Sequence, residues 1–113
     1  MSTDTNTIIN LAEKIGLALS ETEEFKQKQE AEKMLRQDAE ARKLIKEFQT
    51  LKNSYERMEK MGHPLSEKNM EQLKKAEEKA MANPNVKNWY DKTQRFYDLV
   101  IEVNKKIQEG ITV

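Results

Sequence analysis

Apolar residues recur at intervals of three and four in five successive stretches of the chain, the spacing that places side chains on one face of an α-helix. The most regular stretch is 86–110, where about three positions in every seven are apolar. That width is typical of a helix packed into a bundle rather than of a two-stranded coiled coil. Its apolar face is formed by Val86, Trp89, Tyr90, Phe96, Tyr97, Val100, Val103 and Ile107.

Turn and capping residues predict where this last helix begins and ends. It follows Asn83-Pro84-Asn85, where proline disfavours helix at the preceding residue and Asn85 is a candidate N-cap. Gly110 is expected to end it as the residue after the C-cap. The predicted helix therefore covers about 86–109, a length of roughly 37 Å.

Four further helices are predicted upstream. The first carries Ile8, Leu11 and Ile15 behind Asp4 or Thr5 as cap, and the second covers about 21–36 behind Ser20 in a capping box with Glu23. The third covers about 39–61, with Asp38 as N-cap and Gly62 after its end. The fourth follows Ser66 to about 82 with Met70 and Leu73 inward, and the short connection makes helices three and four an antiparallel hairpin.

The fold class expected from this pattern is all-α. We predict an elongated bundle of about five helices in a single domain, 1–113, with two long helices at about 39–61 and 86–109.

The last helix has more apolar circumference than the rest of the chain is expected to cover. Leu99 and Ile101 lie outside its main stripe, so the segment from Phe96 to Val103 is apolar nearly all round. Soluble monomers rarely expose large apolar patches, so we predict a homodimer, or a hetero-oligomer with a paralogue. The residues predicted to form the interface are Trp89, Phe96, Leu99, Val100, Ile101 and Val103.

Composition restricts the classes of function. The 20 basic and 20 acidic residues cancel, so no net field draws nucleic acid or an anionic membrane to the chain. With no Cys there is neither a disulfide nor a thiolate nucleophile. No apolar run reaches the ~20 residues needed to cross a bilayer, and the polar start is unlike a signal peptide, so a cytoplasmic location is expected.

No pattern of catalytic or ligand-binding residues stands out. The only His, His63, lies in a Gly-His-Pro turn without partners at suitable spacing, and adjacent acidic pairs such as Glu77-Glu78 point about 100° apart on a helix. Glycine-rich phosphate loops and zinc or calcium motifs are absent from the sequence. We therefore expect no enzyme activity, no catalytic or metal site and no cofactor.

Four motifs in a fixed order resemble those of the YlbF/YmcA/YheA family of bacterial helical proteins. They are SETEEF at 20–25, DAEARKLIKEF at 38–48, NPNV at 83–86 and the segment from Phe96 to Ile107, and the likeness covers roughly 7–111. The resemblance implies an all-α fold that tends to oligomerise in the cytoplasm of Gram-positive-type bacteria. It also implies a role in competence, biofilm formation or sporulation, or as an accessory to ribonuclease-mediated mRNA maturation. Members with that accessory role carry cysteines associated with an iron–sulfur cluster, whereas this chain resembles the shorter, cysteine-free members.

Three functional hypotheses follow. The first is a non-catalytic regulatory or adaptor protein that acts through helix-mediated protein–protein association. The second is an RNA-contacting module that uses a local lysine face of Lys74, Lys75, Lys79 and Lys87, so nucleic-acid binding stays open. The third is a small-molecule sensor with a pocket between the long helices.

Overall fold

The computed structural model describes residues 3–112, which form α-helices joined by short turns and contain no β-strand. The helices are α1 (Thr5–Ser20), α2 (Glu23–Arg36), α3 (Ala39–Lys60), α4 (Glu67–Met81) and α5 (Pro84–Ile111). The predicted all-α class is confirmed, and the two long helices are α3 and α5. Both predicted ranges for them, 39–61 and 86–109, agree with the structure to within two residues at each end.

The chain divides into two compact units. The first unit contains residues 3–30 and 92–112, which are α1, the start of α2 and the end of α5. The second unit contains residues 31–91, with α3, α4 and the adjoining ends of α2 and α5. The prediction of a single domain stays a prediction.

The hydrophobic core lies in the second unit. Ala41 and Leu44 from α3 pack with Ala80 from α4 and Val86 from α5, and all four side chains are buried. Two alanines in the cluster allow the helix backbones to approach closely. Around the cluster lie the half-buried side chains of Leu35, Ile45 and Met81.

A glycine turn joins α3 to α4. The backbone N–H of His63 donates to the carbonyl of Met58 at 2.9 Å, and that of Gly62 donates to Glu59 at 3.0 Å. This pair of bonds is the Schellman motif, which requires a left-handed residue after the C-cap, and Gly62 has φ +84°. The predicted stop at Gly62 is therefore confirmed.

Ser66 and Tyr55 stabilise the hairpin that follows this turn. The Ser66 side chain accepts from the backbone N–H of Asn69 and caps α4, as predicted. Tyr55 of α3 is buried, and its hydroxyl donates to Oε1 of Gln72 on α4 at 2.7 Å. Met70, predicted to face inward, is exposed instead.

Asp38 links two turns of the second unit by hydrogen bonds. Its Oδ1 accepts from the backbone N–H of Ala41 at 3.0 Å and caps α3, while its Oδ2 accepts from Nδ2 of Asn85 at 2.9 Å. Both bonds favour the charged carboxylate, so the Ala41 N–H first and the Asn85 amide second lower the pKa of Asp38 below its usual value of 3.8.

The predicted cap of α5 is wrong by two residues. Asn83, rather than Asn85, is the N-cap, since its Oδ1 accepts from the backbone N–H groups of Asn85 at 2.9 Å and Val86 at 3.2 Å. Pro84 then occupies the first helical position, where its missing N–H costs nothing and its fixed φ suits the helix. This arrangement leaves the Asn85 side chain available to bind Asp38.

The predicted ends of the other helices also need correction at two places. Ser20 is the last residue of α1, and its hydroxyl donates back to the carbonyl of Leu17, so it does not cap α2. Thr22 takes that role by accepting from the backbone N–H of Phe25 at 3.2 Å. Gly110 does not end α5, which continues through Ile111 because Gly110 lacks the left-handed φ of a terminating glycine.

Candidate interaction surface

None of the described residues of the first unit, 3–30 and 92–112, is buried as a whole. Its helix α1 is nevertheless rich in aliphatic residues, and Leu17 is 67% exposed. Each large aliphatic side chain left in water forgoes about 1.5–3 kcal/mol of burial free energy. The large apolar side chains that α1 exposes are Ile8, Ile9, Leu11, Ile15 and Leu17.

Five of the six predicted interface residues lie in the first unit, on α5. Phe96 contacts Phe25 of α2, with ring centroids 5.2 Å apart and the rings tilted by 52°. Leu99 and Val103 line a shallow groove beside Ile15 of α1. These three residues and Val100 are half-buried, whereas Ile101 is 59% exposed. The side of α5 that carries Ile101 is therefore uncovered by its own chain.

The sixth predicted residue, Trp89, lies in the second unit. It is half-buried and lines a cavity of about 220 Å³ together with Ile45, Phe48 and Met81. That volume is below the ~300 Å³ at which small-molecule pockets begin. The hypothesis of a small-molecule sensor gains no support from this cavity.

Other exposed apolar residues of α5 extend the surface around Ile101. Tyr97 is 52% exposed and Ile111 is 69% exposed, whereas Ile107, which is also exposed, lines the groove beside Ile15. The sequence pattern places Tyr97 and Ile107 on the apolar stripe of α5. It does not show which residues of that stripe the rest of the chain covers and which remain exposed to solvent.

The lysine face proposed for RNA contact is partly neutralised. Lys75 pairs with Glu71 and Lys87 pairs with Asp91, each at 3.2 Å, while Lys74 and Lys79 have no ion pair within residues 3–112. All four lysines are exposed. RNA contact by this face stays a prediction.

Residues 3–112 contain neither a cluster of metal ligands nor a helix that could span a membrane. No group of three or more His, Asp or Glu side chains there is placed to hold a metal ion. None of the helices in that range combines the length and apolar character needed to cross a membrane. His63 is exposed in its turn.

Comparison with known proteins relates both the sequence and the fold to other bacterial proteins. A UPF0342 protein of Lactobacillus acidophilus is 25% identical over 104 residues, which cover 92% of this chain and 90% of the relative. The crystal structure of Bacillus subtilis RicA, determined in complex with RicF, matches with a TM-score of 0.75 at 17% identity and covers 96% of both chains. At that identity the match shows a shared fold.

The family comparison covers nearly the whole chain. The model described as "Control of competence regulator ComK, YlbF/YmcA" matches residues 8–112, which include every helix except the first residues of α1. The match agrees with the resemblance carried by the four sequence motifs. The chain belongs to the YlbF/YmcA family.

Proposed function

We propose that this protein is a non-catalytic cytoplasmic adaptor or regulator that works by helix-mediated association with other protein chains. The observation that carries the proposal is the first unit, in which α1 and the end of α5 expose large apolar side chains and bury none among the described residues. Exposed apolar surface of this kind marks protein interaction sites in soluble proteins.

The family and the structural relative support the same function. The family is described by control of a competence regulator, and RicA, which shares the fold, was crystallised in complex with RicF. We infer that this chain acts in regulation of competence, biofilm formation or sporulation, or as an accessory in mRNA processing. In each process it serves as a homo-oligomer or pairs with a related chain.

The apolar side of α5 is the part of the surface that a single substitution tests best. Ile101→Asp places a charge at an apolar position that is 59% exposed, so the isolated chain tolerates it. In a complex the same carboxylate is desolvated, which costs several kcal/mol unless it is paired. Asn88→Asp is the matched control, because it adds one negative charge to an exposed position of the same helix.

The experiment is capture of the tagged chain from its native cell after mild cross-linking, with quantification of the proteins that come with it. We expect the unmodified chain and Asn88→Asp to recover the same partners, including untagged copies of the chain. We expect Ile101→Asp to lose them while retaining its helical circular dichroism. Equal recovery with all three chains would contradict the proposal.

A further inference from the structure

Six residues at the C-terminal end of α5 form a continuous exposed line, which we call the outer seam. They are Gln94, Tyr97, Ile101, Asn104, Gln108 and Ile111. The seam extends over roughly 27 Å of helix. None of the six is charged, and all belong to the first unit.

The outer seam is distinct from the side of α5 that faces its own chain. Leu99 and Val103 line the groove beside Ile15 of α1. Each is two residues from Ile101, which places it about 160° away around the helix axis. The chain thus covers one side of α5 and leaves the outer seam to solvent.

The spacing of the outer seam is that of a coiled-coil core. Its residues alternate at intervals of three and four, with Gln94, Ile101 and Gln108 at position a and Tyr97, Asn104 and Ile111 at position d. Amides at such positions lower the stability of a coiled coil but specify its register and orientation. An exposed heptad core of this composition fits a reversible helix–helix contact.

The two flanks of the outer seam differ in character. On one flank Asp98 and Lys105 are exposed, and neither takes part in an ion pair among residues 3–112. Asp98 accepts only a hydrogen bond from the Gln94 amide, at 3.1 Å. The other flank carries the half-buried Val100 and Ile107, which is 46% exposed at the edge of the groove beside Ile15, so one side of the seam is charged and the other apolar.

We propose that the outer seam binds the outer seam of a second copy of this chain, with the two helices antiparallel. In an antiparallel pair like flanks face each other, so Asp98 meets Lys105 of the second copy and Lys105 meets its Asp98. Val100 then meets Ile107 of the second copy on the apolar flank. A parallel pair would instead set the charged flank against the apolar one.

The charges also select the register. With the two-fold axis midway between Ile101 and Asn104, each of the six seam residues has a partner in the other copy, and both Asp98–Lys105 pairs form. A shift by one heptad brings Asp98 against Asp98 of the second copy, or Lys105 against Lys105, and like charges facing each other repel. The complementary pairs therefore favour one alignment.

This inference rests on the proposed association function, for which it names one partner and one geometry. The test is sedimentation equilibrium of the purified chain beside Asp98→Lys, Lys105→Asp and the double variant. Each single reversal converts two attractive pairs into two repulsive ones and should weaken dimerisation about tenfold. The double variant restores both pairs and should return to within about twofold of the original affinity.

Three results would overturn the inference. They are a monomeric unmodified chain at micromolar concentration, single reversals that leave self-association unchanged or strengthen it, and a double variant as weak as the single ones. Circular dichroism of each variant verifies that α5 remains helical. A chain that is monomeric alone yet recovers other proteins through Ile101 would retain the proposed function without this geometry.

Discussion

Replacing leucine by alanine should destabilise the unit that has a hydrophobic core and have little effect on the stability of the unit that has none. Leu44 on α3 is 6% exposed and packs in the cluster with Ala41, Ala80 and Val86. Leu17 on α1 is 67% exposed. The substitution removes the same three carbon atoms in both cases, so the difference in stability reports the difference in packing.

The magnitude follows from burial. Loss of a buried leucine side chain removes its transfer free energy and leaves a cavity, and such changes cost about 2–5 kcal/mol. For Leu44 we expect about 3 kcal/mol, which lowers Tm by roughly 12 °C in a domain of this size. For Leu17→Ala we expect a change within about 0.5 kcal/mol, because the side chain is in water and alanine favours helix.

The assay is urea unfolding followed by circular dichroism for the helices and by tryptophan fluorescence for the second unit. Trp89 is the only tryptophan of the chain and lies in the second unit, so its emission reports unfolding of that unit. Low protein concentration keeps association from contributing. Equal losses for the two variants, or a larger loss for Leu17→Ala, would refute this assignment of the core.

Three further substitutions test individual contacts. Asp38→Asn should make Tm fall less steeply below about pH 4 in thermal melts. The pKa of Asp38 in the folded chain is lower than the unfolded value of 3.8, so its carboxylate stabilises the fold above that value, and this stabilisation is lost as the pH falls through the folded pKa. An equally steep fall in the variant would contradict that role. Thr93→Val should raise stability by about 1 kcal/mol in calorimetry, since the buried Thr93 hydroxyl has no hydrogen-bond partner in the described chain, whereas Thr93→Ser should give no gain. Tyr55→Phe should cost about 1 kcal/mol in urea unfolding by removing its bond to Gln72, and a neutral result would show that water replaces that bond without loss.

Periodicity and capping chemistry were sufficient to predict the helices. Asp38, Gly62 and Ser66 each act at the position expected from their side-chain chemistry. These signals are local, since a cap bonds to backbone groups two or three residues away and needs no tertiary contact.

The N-caps of α2 and α5 were predicted wrongly, because two nearby residues in each case are suited to the N-cap position. Ser20 and Thr22 both suit an N-cap, and the sequence does not show that α1 continues through Ser20. Asn83 and Asn85 flank Pro84 in the same way, and the choice depends on a long-range bond from Asn85 to Asp38. A tertiary contact of this kind has no counterpart in local sequence.

The candidate surface was only partly predictable. The apolar circumference of α5 identified Ile101, which the structure leaves exposed, but grouped it with Trp89, which lies in the other unit. The apolar pattern alone does not reveal the outer seam, because Gln94, Asn104 and Gln108 interrupt it. Such a seam is recognisable only after the structure shows which side of the helix the chain itself covers.

The most direct measurement is the rate at which a maleimide labels a single cysteine at position 101, compared between the purified monomer and the complex isolated from the native cell. Because the chain contains no Cys, Ile101→Cys provides one reactive thiol, and Asn88→Cys serves as a control on the same helix. If other chains cover the apolar side of α5, labelling at position 101 falls at least about tenfold in the complex while labelling at position 88 is unchanged. Equal labelling of position 101 in both samples would show that no protein covers this side of the helix and would contradict the proposed association.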